Sequence, residues 1–143
     1  MRKNREVLRR LIDTTTLLGR PELAFRGHDE SADSDNKGNY REFADVFARY
    51  DEALSSHLES STVFSGMSKT IQNDLIESVS AVIQEEIKCK IVKALFFSWQ
   101  VDETTNISCS AQLSIIVRYV DVAGVIQERF LRFFDVPDGR DAI

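Results

Sequence analysis

Apolar residues in this 143-residue chain keep one spacing up to Ala94 and another after it. Val7, Leu8, Leu11, Ile12, Leu17 and Leu18 mark one face of a helix from Arg2 to Leu18. The Thr14-Thr15-Thr16 run lowers helix propensity there, and Gly19 with Pro21 supplies the stop. Leu23 and Phe25 are expected to pack back on that helix. Arg26 to Gly38 (RGHDESADSDNKG) carries acids and glycines without an apolar run and predicts an exposed loop. Asn39 is placed to cap the next helix, with Glu42 completing a capping-box pattern. Phe43, Val46, Phe47 and Tyr50 form its apolar face, read as core packing. Leu54 and Leu58 continue the pattern in a short helix after Asp51, and Ser60 to Gly66 reads as a linker. From Ser68, a capping residue, Ile71, Leu75, Val79, Val82, Ile83, Ile87 and Ile91 predict one long helix or two, since Ser78 and Ser80 weaken the centre.

The period then changes from 3.6 to 2. Leu95, Phe97, Trp99 and Val101 point to one side of a strand that delivers Asp102 at its end. Glu103 to Ser110 reads as a connection, Ala111 to Val120 as a second strand, Asp121 to Gly124 as a tight turn, and Val125 to Phe134 as a third strand. Links this short join antiparallel neighbours. The predicted class is α+β, a single domain over 1–143, with a helical part over 1–94 and a three-stranded antiparallel meander over 95–136. Pro137 and Gly139 mark a loop, and Asp141 stands where a further helix could start.

Composition changes this picture little. Hydrophobic residues at 43% and charged residues at 29% are ordinary globular values. A net charge of −5 argues against a self-sufficient nucleic-acid binder, and the cluster Arg2, Lys3, Arg5, Arg9 and Arg10 is read as a solvated helix face. Cys89, Cys109, His28 and His57 lack zinc-site spacing, which points to a reduced, intracellular protein. The absence of a long apolar run or a signal-peptide pattern predicts a chain that is neither secreted nor membrane-bound.

The residue singled out for chemistry is Asp102, because an apolar strand ending on a carboxylate can set a metal ligand at a sheet edge. Taken alone, Asp102 also fits a strand-end turn residue capping the Thr-rich loop. His28 beside Asp29 and Glu30 is read as solvated, since three adjacent residues do not converge on one ion.

Several segments together resemble a known family. They are LAFRGHDES (Leu23 to Ser31), KGNYREF (Lys37 to Phe43), IQNDLI (Ile71 to Ile76), VDETTNIS (Val101 to Ser108), QLSIIVRYVD (Gln112 to Asp121) and ERFLRFFDV (Glu128 to Val136). In this order they look like the DUF4371 domain of hAT-superfamily transposases and of transposable-element-derived proteins such as the zinc finger MYM-type 1-like proteins. The resemblance implies the N-terminal part of an RNase H-like fold, here truncated. It implies that Asp102 matches the first of three carboxylates that hold divalent metal ions for DNA cutting and joining. Two ions need several converging carboxylates. The resemblance places the other two acids in regions beyond this chain.

Glu103 neighbours Asp102 and points the other way, and Asp121 and Asp135 are expected at strand ends away from it. Asp102 is therefore a vestigial catalytic and metal position. The chain is expected to be no enzyme and to take no cofactor, with magnesium or manganese bound only in a full-length relative. Gln100 departs from the family's apolar pattern on a strand expected to be buried. The expected partners are a protein bound through the helical region, or a second copy through the bare strand edge carrying Phe97 and Trp99. DNA is a partner only of a full-length relative, and nuclear localisation follows from the resemblance.

Overall fold

The computed structural model describes residues 2–31, 33–61, 65–105 and 111–136. Four helices, α1 (Arg2–Gly19), α2 (Asn39–Ala48), α3 (Glu52–Ser60) and α4 (Lys69–Lys93), precede three strands, β1 (Phe97–Thr105), β2 (Ala111–Val120) and β3 (Ile126–Asp135). The α+β class is as expected. The fold separates into two compact units, Met1–Ala81 and Val82–Ile143, and the change falls inside α4. The middle of the predicted Ser60–Gly66 linker, Asn106–Ser110 with Cys109, and everything from Pro137 lie outside the described residues.

In the first unit, Val7, Leu11 and Leu18 of α1 meet Tyr40, Ala44, Leu54, Met67 and Leu75 in one buried cluster, with Phe25, Phe43 and Phe47 packed around it. The threonine run does not interrupt α1. Thr14, Thr15 and Thr16 each donate a hydroxyl hydrogen bond to the carbonyl four residues back, at 2.9 Å, so their oxygens stay paired inside the helix. α4 is likewise continuous through Ser78, which donates to the Asp74 carbonyl at 2.7 Å.

Three local expectations are corrected here. Asn39 is the first helical residue rather than the cap; Gly38 precedes it with no side-chain cap, and the Asn39 amide donates to the Ala24 carbonyl at 2.7 Å. Tyr50 lies beyond the end of α2 and is 88% exposed, whereas Tyr40 fills the core instead. Tyr40 stacks on Phe25 and donates its hydroxyl to the Gly66 carbonyl at 3.2 Å, and burial pushes its phenol up to about 12. Leu23 stays largely exposed, and Phe25 alone of that turn reaches the core.

The cap that does form is Asp51, which accepts from the Leu54 backbone at 3.0 Å and pairs with the Arg10 guanidinium, tying α3 to α1. These bonds, the backbone N–H foremost, hold the Asp51 carboxyl below the ordinary range. Arg10 thus serves structure, while Arg5 and Arg9 are solvent-exposed, as read from the sequence.

In the second unit the sheet order is β1-β2-β3, antiparallel throughout. One sheet face carries Val117 and Tyr119, which pack with Ile87 of α4, joined by Ile91, Ala94 and Leu131. Leu131 is the extra residue of a bulge, where the register steps between Ile115 and Ile116. The β2–β3 turn is fixed by the Asp121 carboxylate, which accepts from the Ala123 and Val125 backbones and from Gln127, while Gly124 takes a φ of 79°.

Candidate functional site

The antiparallel register sets where each acid points. β1 starts at Phe97, not Leu95, because α4 runs to Lys93 and the chain must first leave the helix. Its far end extends to Thr105, past the expected stop, since Thr104 and Thr105 pair with Gln112 and Ala111. β-branched residues favour such an extension. Asp102 therefore sits inside the strand opposite Ser114, rather than capping a loop.

Ser114 donates its hydroxyl to the Asp102 backbone carbonyl at 3.1 Å. The Asp102 side chain is exposed. It stands on the sheet face opposite the one covered by α4, since alternation puts Trp99 and Val101 with Val117, and Asp102 with Ser114.

Glu103 points to the α4 face, as expected, and cannot share an ion with Asp102. Asp121 lies at the opposite end of β2, engaged in the turn. Asp135 differs from expectation. The third strand of a meander runs the same way as the first, so Asp135 comes back to the same end as Asp102, and the bulge at Leu131 sets it opposite Gln112, on the same face. At strand spacings of about 4.8 Å and a two-residue offset, their Cα atoms are about 12 Å apart. Gln112 donates to the Asp135 carboxylate at 2.8 Å, so that acid already has a partner. The bulge that sets this placement carries no signal in the predicted strands.

Metal ions of the kind this chemistry uses sit about 2.0–2.6 Å from several oxygen ligands. Among the described residues, no group of three or more His, Cys, Asp or Glu side chains is gathered to hold one. The donor set around Asp102, one exposed carboxylate and one serine hydroxyl already donating, does not fit a two-metal centre.

The other conspicuous segment, RGHDES, is structural where it is described. Gly27 and Gly38 are in backbone contact: a Cβ on Gly38, whose φ is 90°, would fall 2.2 Å from the Gly27 nitrogen. Arg26 reaches α4, donating to the Lys69 carbonyl and the Asn73 amide oxygen. His28 is exposed. Gln100, expected to be buried, is exposed and carries no burial cost in this chain.

The family described as DUF4371: ZMYM1/FAM200, RNase-like domain matches residues 1–142. This chain belongs to that family. It is a transposase-derived RNase-like domain, and the helices followed by an antiparallel meander agree with it. Among curated proteins, the chain is similar to the 52 kDa repressor of the inhibitor of the protein kinase from Mus musculus and from Homo sapiens. Each is 27% identical over 139 residues, covering 92% of this chain. The chain spans 18% of the length of these relatives. No solved structure matches the chain. No helix among the described residues is long and apolar enough to cross a membrane.

Proposed function

We propose that this chain is a hAT-transposase-type RNase-like domain whose described residues keep the first acid position, Asp102, and do not form a centre that cuts DNA by themselves. The observation that carries this reading is the isolation of the Asp102 carboxylate. Among the described residues, the nearest acid on its sheet face, Asp135, is about 12 Å away by strand spacing and is bonded to Gln112, and Glu128 lies farther along that face, opposite Arg118. In-line attack on a phosphodiester needs metal ions beside both the entering and the leaving oxygen, and a lone exposed carboxylate holds neither firmly. In this reading the chain has no cofactor of its own. Magnesium or manganese and DNA belong to longer relatives that bring the remaining acids, and nuclear residence follows from the same kinship.

The test is a magnesium- and manganese-dependent cleavage and strand-transfer assay on duplex DNA, run beside Asp102→Ala. The expected result is no turnover from either protein. Cleavage by the natural chain that Asp102→Ala abolishes would overturn the reading.

A second reading, an interaction module acting through the helical region, rests on an exposed apolar row on α1. Leu8 and Ile12 lie one turn apart and leave the core to Val7 and Leu11. Under that reading, Leu8→Ser with Ile12→Ser abolishes binding to a defined protein partner without lowering the melting temperature.

A further inference from the structure

The α4 face of the sheet carries a pocket of about 330 Å³ far from Asp102, lined by Lys90 and Lys93 of α4, Tyr119 of β2, Gln127 and Arg129 of β3, and the turn that begins at Asp121. The register builds it. Gln127 stands opposite Tyr119 and Arg129 opposite Val117, so Tyr119, Gln127 and Arg129 share one face. Lys90 follows Ile87 by three residues and leans over the strands on which Ile87 packs, with Lys93 one turn further. Along β2, Tyr119 is about 17 Å by strand rise from Ser114, the partner of Asp102, which faces the other way.

The charges of the pocket are partly spent. Lys90 is paired with Glu86 at 2.7 Å. Asp121 is the acid of the pocket, and its carboxylate is occupied: the Ala123 backbone donates to it at 3.0 Å, and the Val125 backbone and the Gln127 amide at 2.9 Å. Glu128 pairs with Arg118 on the opposite face. Arg129 donates to the Glu128 carbonyl and the Gln127 amide oxygen, both at 2.7 Å, and meets no carboxylate among the described residues. Lys93 likewise has no ion pair among them. Lys90, Lys93 and Arg129 against Glu86 and Asp121 leave one positive charge in excess.

Donors exceed acceptors by more than charge does. N–H groups remain on Lys90, Lys93 and Arg129, while the Asp121 oxygens are taken up. Tyr119 adds a hydroxyl. This residue is 2% exposed and lines the pocket, yet its hydroxyl makes no hydrogen bond among the described residues. A buried phenol ordinarily finds a partner.

We propose that this pocket binds a phosphate group, free or at the end of a small molecule, with Arg129 and Lys93 on its oxygens and the Tyr119 hydroxyl donating to one of them. A phosphate brings several acceptor oxygens and negative charge, the complement of what the pocket offers. A volume of about 330 Å³ is at the lower end for small-molecule sites. Lys90 and Lys93 also offset the carbonyl ends of the last turn of α4, a role that engages neither Arg129 nor Tyr119. The inference is independent of the missing nuclease activity, since it uses the other face and the other end of the sheet.

The test titrates the full chain with inorganic phosphate, ribose 5-phosphate and ribose, followed by amide shifts in nuclear magnetic resonance. Both phosphates are expected to saturate one site in the millimolar range or tighter, with the Ala123, Gln127 and Arg129 amides moving first, and ribose to move none. Tighter binding of ribose 5-phosphate marks an ester as the occupant, and equal binding marks free phosphate. Arg129→Gln and Lys93→Gln are each expected to weaken binding about tenfold, and Tyr119→Phe about threefold, with unchanged far-ultraviolet spectra. Arg118→Gln removes the same charge from the opposite face and is expected to leave binding intact. No saturation by either phosphate, equal losses from Arg118→Gln and Arg129→Gln, or binding of a DNA duplex with neither small phosphate bound each overturns the proposal.

Discussion

The two units of this chain solve the same problem with different success. The helical unit gathers eight buried residues from its helices and the segments between them, including an aromatic ring whose hydroxyl is paired. The sheet unit buries Ile87, Val117 and Tyr119, while Phe96, Phe97, Trp99, Ile126 and Phe133 remain half exposed or more and Phe130 nearly so. Among the described residues, a single antiparallel sheet with one helix segment on one face leaves apolar side chains of its other face exposed. The lesson is that the first unit carries its own stabilising interior, whereas the second presents apolar surface suited to being covered. Exposed apolar sheet surface of this kind marks an interface or an aggregation hazard.

Core truncation separates the units most strongly. Leu11→Ala and Leu54→Ala, each at a fully buried position in the helical unit, are expected to cost about 2–5 kcal/mol by denaturant unfolding. Phe130→Ser and Phe133→Ser, on the open sheet face, are expected to change stability by under about 1 kcal/mol and to raise solubility. Equal losses at both sets would show that the sheet face is covered after all.

A smaller effect tests the paired ring. Tyr40→Phe removes the bond to the Gly66 carbonyl and is expected to cost about 1 kcal/mol, read as a lower melting temperature.

Acid titration sharpens the same comparison, because each unit holds an aspartate with a lowered pKa that fixes a helix cap or a turn. Asp51 is lowered by the Leu54 backbone and Arg10, and Asp121 by the Val125 backbone and Gln127. A carboxyl depressed on folding stabilises above its unfolded value, about 3.9, and that contribution is lost as pH falls through the folded value. Both contributions are therefore present at neutral pH and fade in acid below about pH 4. Asp51→Asn keeps a capping side chain and flattens the acid limb of the helical unit's stability. Asp121→Asn does so for the hairpin alone, seen as hydrogen exchange near the turn. Acid limbs unchanged by either substitution contradict the assignment.

Much of this architecture was readable from spacing. The 3.6-to-2 switch near Ala94, the turn at Asp121–Gly124 and the helical core positions Leu11, Leu54 and Leu75 all follow from periodicity, because burial on one face imposes it. What spacing could not show was set by contacts far along the chain. Tyr40 displaced Tyr50 from the core because Phe25 and Gly66 come to meet it. Asn39 gave up the cap because the Gly27–Gly38 crossing brings the Ala24 carbonyl within its reach.

The chemical site divides in the same way. Asp102 was found as the carboxylate of the first strand, but its place inside the strand depended on Thr104 and Thr105 pairing across the sheet. Asp135 was expected away from Asp102, whereas strand direction returns it to the same end and the bulge at Leu131 turns it to the same face.

The central claim is that one carboxylate without converging partners cannot organise metal ions for phosphodiester chemistry. Manganese binding followed by electron paramagnetic resonance, with Asp102→Ala beside the natural chain, tests it most directly. The account predicts no site tighter than the millimolar range and the same weak titration for both proteins. Two manganese ions bound per chain at micromolar concentration, and lost with Asp102→Ala, would contradict it.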